Sequence, residues 1–236
     1  MFLKCVFTLI LVLSLNTISR AEMPTVNDIF AKLKQNYDSI KDLQYNIIQE
    51  MGMGADKKAT IEMKYYLKKP DKVRMEYIKP TESITVINGQ NMSTKVTGMD
   101  LMKMKTPKDN LLNIEGLAWL IVFKSRNDFN INLNLKDYNS KGLAILIIIP
   151  LKESYKNVFS KMLLTIDFEK GVETKTETFD ENNKITSITE NSDFSKINNI
   201  WSAEKTMVSF KSKNKEMFRK RHINPILNIS YRDIIM

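Results

Sequence analysis

Residues 59–68 read ATIEMKYYLK, a strict alternation of apolar and polar side chains. Successive side chains of a β-strand point to opposite faces, so Ala59, Met63 and Leu67 share one face while Thr60 and Lys64 share the other. A strand with one apolar and one polar face is typical of an antiparallel sheet that is covered on one side only. The alternation therefore predicts such a sheet.

The next two segments continue the alternation. Val73 to Tyr77 and Ile84 to Val86 each present alternate apolar residues, and Asn88-Gly89, a preferred hairpin dipeptide, comes directly after them. Pro70 and Pro80 fall at strand boundaries, where a missing N–H removes no ladder hydrogen bond. Three consecutive strands with apolar faces are predicted here.

Two other segments have helical periodicity. Thr25 and Asp28 have the spacing of a capping box and precede apolar residues that recur at helical spacing through Ile40, which predicts an amphipathic helix. The denser apolar segment at 107–124 predicts one helix, or two short ones that break near Gly116. Beyond it, turn-rich pieces separate eight predicted strands between 129 and 234, the last two at 216–221 and 226–234.

The N-terminus has the order of features of a secretory leader. Lys4 precedes an apolar run from Val6 to Leu15, and small residues follow at Ser19 and Ala21, which predicts a signal peptide over 1–21 with cleavage near Ala21. The run is shorter than the roughly 20 residues that span a bilayer. An uncleaved membrane anchor is the alternative. Residues 22–236 contain no linker and no repeat, which predicts a single domain.

Cysteine content and charge narrow the class of protein. Cys5 is the only cysteine and lies in the leader, so the mature chain would have no disulfide, no cysteine nucleophile and no cysteine metal site. The formal net charge is +9, and removing Lys4 and Arg20 with the leader lowers it to +7. A basic secreted protein suits anionic lipid surfaces or acidic partners better than nucleic acid.

Catalytic and cofactor-binding patterns are missing from the sequence. His222 is the sole histidine, and no serine-nucleophile elbow accompanies it. The Asp180-Glu181 pair falls in a polar turn, and neither a phosphate-binding glycine loop nor a zinc-ligand spacing occurs. The sequence therefore predicts no enzyme, no metal site and no cofactor.

Methionine is abundant, with fourteen residues, eight of them between Met51 and Met104. Thioether side chains conform to irregular apolar partners, so this stretch could line a deformable cavity. Ordinary core packing is the other interpretation of the same residues.

Residues 68–90, KKPDKVRMEYIKPTESITVINGQ, resemble the core of the periplasmic outer-membrane lipoprotein carrier (LolA-like) family, which includes the outer membrane lipoprotein-sorting proteins. The positions that match the family pattern are Lys68, Lys69, Pro70, Val73, Arg74, Pro80, Ser83, Asn88 and Gly89. Weaker similarity continues in ILIIIPLKES and FDENNKITSI.

The resemblance implies a mainly β fold with α cover: an unclosed, curved antiparallel β-barrel with helices forming a lid over an apolar cavity. It also implies a periplasmic monomer whose partners are lipoprotein acyl chains or lipid, an inner-membrane release complex and an outer-membrane acceptor. The residues that would line the lipid-binding cavity are Tyr65, Leu67, Val73, Met75, Tyr77, Ile84, Val86, Leu117, Trp119 and Leu120.

The sequence departs from the well-known carriers of the family at three positions of this stretch. Lys69 replaces an arginine thought to tether the lid, and a lysine offers a point charge without the bidentate fork. Lys69 is therefore either a lid latch or a solvated strand-end lysine. Val73 stands at the position of a lid-facing phenylalanine, and Met75 replaces a tryptophan.

The function that these features favour is a periplasmic carrier that moves acyl chains toward the outer membrane. Each buried methylene is worth about 0.8 kcal/mol, so a chain of roughly 16 carbons resists leaving a bilayer by on the order of 12 kcal/mol. Two alternatives remain: a lipid- or lipoprotein-sensing regulator of the same fold, and a structural envelope protein whose core is filled by its own side chains.

Overall fold

The computed structural model describes residues 23–53, 58–105, 118–212 and 215–227. The predicted signal peptide, Leu117 and most of the predicted helical segment at 107–124 lie outside these ranges. Within them the helices are α1 (Val26–Ser39), α2 (Ala118–Lys124), α3 (Tyr138–Lys141) and α4 (Glu153–Lys156). A single 3₁₀ turn, Arg126–Asp128, follows α2.

Strands make up most of the described chain. They are β1 (Asp42–Met53), β2 (Lys58–Lys68), β3 (Lys72–Lys79), β4 (Ser83–Asn88), β5 (Asn91–Val96), β6 (Met102–Lys105), β7 (Phe129–Asn134), β8 (Leu143–Pro150), β9 (Lys161–Asp167), β10 (Val172–Phe179), β11 (Ile185–Ile197), β12 (Ile200–Ser212) and β13 (Lys215–Leu227).

All thirteen strands join one antiparallel sheet in the order β6-β5-β4-β3-β2-β1-β13-β12-β11-β10-β9-β8-β7. Sequential neighbours pair as hairpins, and the pairing of β1 with β13 connects the N-terminal and C-terminal halves. The sheet ends at β6 on one side and at β7 on the other, so it does not close on itself. The predicted fold class, an unclosed antiparallel β structure with helical cover, is confirmed.

The first helix forms where its capping box predicts. Thr25 is the N-cap: its hydroxyl accepts a hydrogen bond from the Asp28 backbone N–H at 3.3 Å, and its own N–H donates to the Asp28 carboxylate at 2.8 Å. Hydrogen bonds from the Thr25 hydroxyl and backbone lower the pKa of Asp28. The apolar stripe of α1, with Ile29, Phe30 and Leu33 fully buried, packs toward the sheet.

The apolar interior is divided into two clusters. One lies under α1 and α2 against β7, β8 and β9, and includes Phe30, Trp119 and Leu146. The other is formed by β1 to β4 and the start of β12, and includes Leu43, Val73 and Ile200. A core split in this way leaves room between its parts.

The last predicted strand boundary is wrong. Residues 216–221 and 226–234 were expected as separate strands, but β13 runs continuously through Pro225, which pairs with Tyr45 of β1. On the other side, the pairing of β13 with β12 stops at His222 opposite Lys205. Pro225 therefore lies at a local edge, where a residue without N–H is tolerated.

Candidate functional site

A cavity of about 670 Å³ lies between the two apolar clusters, bounded by the sheet and by α1 and α2. Its lining includes Leu33 and Trp119 from the first cluster and Leu43 and Tyr65 from the second. This volume is within the range of about 300–1,000 Å³ that holds small-molecule ligands in proteins. The space between sheet and helices is therefore large enough to accept a ligand.

Strands β1, β2 and β3 supply a predominantly apolar wall. The residues that they contribute are Leu43, Tyr45, Ile47, Met63, Tyr65, Leu67, Met75 and Tyr77. They alternate along each strand because the paired strands keep a common face in register, with Tyr45 opposite Tyr65 and Tyr65 opposite Met75. Met63 and Met75 add flexible side chains to this wall, which lets it adapt to an irregular apolar partner.

Strands β10, β11 and β12 supply a wall of mixed polarity. Beside Val172, Phe194 and Val208, the Ser, Thr, Asn and Glu side chains of these strands that line the cavity are Glu173, Ser187, Thr189, Asn191, Ser202 and Thr206. Asn36 of α1 is the remaining lining residue of this polar class among the described residues. The cavity therefore has an apolar side, formed by β1 to β3, and a side of mixed polarity, formed by β10 to β12.

Glu173 is the one charged residue among the described residues that line the cavity. Its exposed fraction is 6%. The Thr176 hydroxyl donates to one carboxylate oxygen, and the Trp119 backbone N–H donates to the other at 3.4 Å. Burial raises the pKa of Glu173, against the lowering effect of these two hydrogen bonds. Burial thus makes ionisation of this carboxyl at the cavity wall less favourable than that of an exposed glutamate.

Helix α1 is fastened to the sheet through Asn36. The Asn36 side-chain amide donates to the Trp201 backbone carbonyl at 3.0 Å, and the Trp201 backbone N–H donates to the Asn36 side-chain oxygen at 3.1 Å. Trp201 precedes Lys205, where the pairing of β12 with β13 begins. The Asn36 side chain therefore bonds the backbone groups of Trp201 that a neighbouring strand would otherwise bond. The pair fixes the C-terminal half of α1 above the cavity.

Lys69 holds the same end of α1 from the opposite wall. Its ammonium donates to the Tyr37 carbonyl in the last turn of the helix and lies 3.3 Å from the centroid of the Tyr37 ring. A cation at a helix C-terminus complements the negative end of the helix dipole. Lys69 therefore contacts the helical cover, and that it acts as a lid latch stays a prediction.

A ring contact and a hydrogen bond connect the two helices of the cover to β10. The Tyr37 ring contacts the Trp119 ring of α2 edge to face, with centroids 5.8 Å apart, and the Trp119 backbone N–H donates to the Glu173 carboxylate on β10. Lys69, Tyr37, Trp119 and Glu173 therefore form a continuous series of contacts from the β2–β3 turn to β10.

Of the ten predicted cavity residues, five line the cavity: Tyr65, Leu67, Met75, Tyr77 and Trp119. Val73 and Leu120 are buried within the second and first clusters respectively, and are not among the lining residues. Leu117 lies outside the described residues. That the five residues bind lipid stays a prediction.

Ile84 and Val86 were predicted on the cavity face, and this is wrong. They pair with Glu76 and Arg74 of β3, and Ile84 has an exposed fraction of 38%, whereas Thr85 is buried. The Asn88-Gly89 hairpin sets the register of β4 with β5, and it brings the Thr85 and Thr94 hydroxyls to 3.1 Å from one another. This hydrogen bond lets the threonine take the inner position that its apolar neighbours were expected to take.

The prediction from sequence missed the polar wall and the contribution of α1. Only apolar positions of β2 to β4 were considered as lining, although Ser187, Thr189 and Asn191 alternate along β11 as regularly as the apolar residues of β2 do. The period-two pattern was the available signal; the restriction to apolar residues concealed it.

The described ranges contain neither a metal-ligand cluster nor a membrane-spanning helix. In residues 23–53, 58–105, 118–212 and 215–227, no group of three or more His, Cys, Asp or Glu residues could hold a metal ion. No helix in the described part of the chain is long and apolar enough to cross a membrane. His222 is in β13, in register with Ile48 and Lys205.

Several solved structures share this architecture. A DUF1329 family protein from Desulfovibrio piger is 16% identical, with 87% of this chain and 93% of that chain covered and a TM-score of 0.61. A LolA superfamily protein from Nitrosomonas europaea is 11% identical, with 91% and 98% covered and a TM-score of 0.57. An outer membrane lipoprotein-sorting protein domain from Vibrio parahaemolyticus is 9% identical, with 86% and 94% covered and a TM-score of 0.58. At these identities the likeness concerns the fold.

The sequence has no match among curated proteins. The profile of the family described as outer membrane lipoprotein carrier protein LolA matches residues 38–210, which is most of the chain and includes β1 to β11 and most of β12. The open sheet and the cavity beneath its helical cover agree with this match. The chain therefore belongs to the outer membrane lipoprotein carrier protein LolA family.

Proposed function

We propose that this protein is a non-enzymatic periplasmic carrier that binds an acyl chain of a lipoprotein or another lipid in the cavity and moves it toward the outer membrane. Family membership supports this proposal, and the observation that carries it is the cavity of about 670 Å³ between two separate apolar clusters. Of the two alternatives, a structural protein with a filled core predicts no such cavity, whereas a lipid-sensing regulator of the same fold would share it.

The volume limits the number of chains. A methylene group is close in size to a water molecule, which takes about 30 Å³ of the liquid, so a chain of roughly 16 carbons needs on the order of 480 Å³. One chain fits in a cavity of about 670 Å³, and two do not. The cargo would therefore place one chain inside and leave further chains in contact with the cover or a partner.

The wall composition suits loading and release. A carrier must replace much of the apolar burial that the bilayer gave its cargo, about 0.8 kcal/mol per methylene, without holding the cargo irreversibly. Met63 and Met75 offer apolar contact without a fixed shape, and the polar residues of β10 to β12 limit the total apolar contact. This combination favours exchange.

The proposal is tested by blocking the cavity. Thr189 lines it, whereas its neighbour Ile188 pairs with Glu177 and Ser209 on the other face of β11. We expect lipid to co-purify with the wild-type protein and with Ile188→Phe, and to fall by roughly tenfold or more with Thr189→Phe, since a phenylalanine would occupy the space of several methylenes. Native mass spectrometry of protein purified from its own cell envelope measures this.

Two results would overturn the proposal. The first is wild-type protein that carries no lipid and takes up none from vesicles. The second is equal lipid content in the two phenylalanine variants. Circular dichroism and urea unfolding of both variants establish that each is folded before the comparison.

A further inference from the structure

The polar side of the cavity has an unusual arrangement for a site that holds only hydrocarbon. Glu173 places a carboxyl with 6% exposure in its wall. Burying such a group is unfavourable unless hydrogen bonds or an opposite charge compensate it. No lysine, arginine or histidine is among the described lining residues, and Lys170, whose ammonium lies 5.5 Å from the centroid of the Trp201 ring, is paired with Asp167 and not with Glu173.

The hydrogen bonds that Glu173 receives leave capacity unused. An ionised carboxylate has about four acceptor sites, and Thr176 and Trp119 use one on each oxygen. A second acceptor belongs to a lining residue that contacts the Glu173 backbone: the Asn191 amide nitrogen donates to the Glu173 backbone carbonyl at 3.1 Å, while the Asn191 side-chain oxygen accepts from the Thr206 hydroxyl at 2.9 Å. That oxygen also has a second lone pair.

We infer that the β10–β12 side of the cavity is a head-group site for an amphiphile with one acyl chain and a primary amine, with the ammonium at Glu173 and the chain along β1 to β3. This inference rests on the proposed lipid-binding function and deepens it. An ammonium carries three donors, which match the acceptors of Glu173 and Asn191. It also supplies the positive charge that the buried carboxyl lacks.

Other head groups fit this wall less well. An anionic head would bring a like charge beside Glu173 in a site of low dielectric constant, where repulsion is strong. An alcohol would supply one donor and no charge. The polar wall therefore selects the head group by its charge, while the acyl chain contributes equally to the affinity of every ligand of the same length.

A primary amine beside an acyl chain could come from an aminolipid or from the free N-terminus of a lipidated peptide. Both present the same chemistry to Glu173. The two ligands differ in the rest of the head group, which contains a phosphate in the aminolipid and a peptide in the lipidated chain. The experiment compares them directly.

The test measures head-group preference at constant chain length. Dodecylamine, dodecanol and dodecanoate each displace a fluorescent probe from the purified protein at neutral pH and low salt. We expect dodecylamine to bind roughly tenfold more tightly than dodecanoate, the order of magnitude of one charge-assisted hydrogen bond. A second arm compares lysophosphatidylethanolamine with lysophosphatidylglycerol, and an S-hexadecylcysteinyl peptide with its N-acetylated form.

Variants locate the preference. Glu173→Gln keeps acceptor and donor atoms for Trp119 and Thr176 but removes the charge, and should reduce the preference for the amine to about twofold or less while dodecanol affinity stays unchanged. Glu177→Gln is the matched control, because Glu177 lies on the same strand, pairs with Lys175 at 3.0 Å and is not among the lining residues. It should retain the full preference.

The outcomes separate this inference from the proposed function. If all three dodecyl probes bind wild-type protein with equal affinity, the head-group site is refuted and lipid binding stands. If none binds, the proposed function fails as well. An amine preference that persists in Glu173→Gln refutes the assignment to Glu173. The wild-type comparison needs no variant, so a folding defect cannot leave the inference untested.

Discussion

Glu173 combines burial, hydrogen bonds to a helix and a position in the cavity wall. Because the pKa of Glu173 is raised above its ordinary value of 4.5, the folded state keeps a proton at pH values where the unfolded state has already lost it. The stability contribution of Glu173 is thus complete below the unfolded-state pKa and is lost as the pH rises through the folded-state pKa. Near neutral pH the buried carboxyl is a net liability for folding.

We therefore expect Glu173→Gln to raise the free energy of unfolding near pH 7 by about 1–3 kcal/mol, the usual cost of an incompletely compensated buried polar group. The gain should vanish below about pH 4, where wild type is protonated in both states. Urea unfolding across this pH range measures it. Parallel stability curves for the two proteins would show that burial does not perturb Glu173.

Lys69 has the second residue-scale role, because it contacts the end of α1 in two ways. A cation at a helix C-terminus is worth about 0.3–1 kcal/mol and a cation–π contact about 0.5–1 kcal/mol at exposed sites. We expect Lys69→Gln to lower the free energy of unfolding by about 1 kcal/mol and to speed lipid exchange, since its ammonium contacts Tyr37 in the cover.

The neighbour Lys68 provides the control for this change. It is exposed at the end of β2, so Lys68→Gln removes the same charge without the contact to α1. Urea unfolding and exchange of a fluorescent fatty acid compare the two variants. Equal effects of the two substitutions would assign the result to net charge instead of a latch.

At the scale of elements, the approach of α1 to the β9–β10 turn depends on a glycine. A Cβ on Gly171, whose φ is +65°, would lie 2.8 Å from the Lys32 carbonyl oxygen of α1. Gly142 at the end of α3 has a similar φ of +67° but nothing within 4 Å of the added atom. Alanine substitutions at these two glycines therefore separate the cost of backbone strain from the cost of displacing the helix.

Gly142→Ala should cost about 1–2 kcal/mol of stability, the penalty of a left-handed backbone for a residue with a Cβ. Gly171→Ala should cost that amount plus roughly 1–3 kcal/mol of overpacking, because the helix backbone must move. Hydrogen exchange of α1 amides should accelerate only in Gly171→Ala. Similar unfolding energies for both variants would mean that α1 does not rest on this turn.

The elements that could be predicted from the sequence are those whose pattern is local. The first helix was predictable because its cap and its apolar stripe both lie within fifteen residues, and the inner faces of β2 and β3 because only one of their two faces is apolar. Local patterns of this kind need no information about distant partners.

Two predictions failed because pairing with distant strands decides which face of β4 is buried and where β13 ends. Both faces of β4 contain residues with high strand propensity, so its pattern did not fix its orientation; pairing with β3 and β5 did. The predicted break between 221 and 226 contains Pro225, but the pairing of β13 with β12 stops at His222, so a residue without an N–H breaks no hydrogen bond with β12 there. The polar wall was missed for a different reason: only apolar positions were considered as lining, although Ser187, Thr189 and Asn191 alternate along β11.

For the whole molecule, the strand order decides where the hollow lies. One apolar cluster belongs to β1 to β4 and the start of β12, and the other belongs to β7, β8, β9 and the helices. The helices α1 and α2 contribute lining residues on the covered side. The hollow therefore lies between the two halves of the sheet, each of which contributes lining residues.

The whole-molecule charge gives the last prediction. The sequence carries a net charge of +9, or +7 without the predicted leader, so encounters with anionic bilayers should be steered electrostatically. Raising the salt concentration shortens the Debye length from about 30 Å at 0.01 M to about 3 Å at 1 M.

Transfer of a fluorescent lipid from the loaded protein to vesicles rich in phosphatidylglycerol should therefore slow by roughly tenfold over this range. Transfer to phosphatidylcholine vesicles is the control and should change by less than about twofold, because no surface charge is there to be screened. A rate that is independent of salt with both vesicle types would show that delivery depends on contacts other than charge.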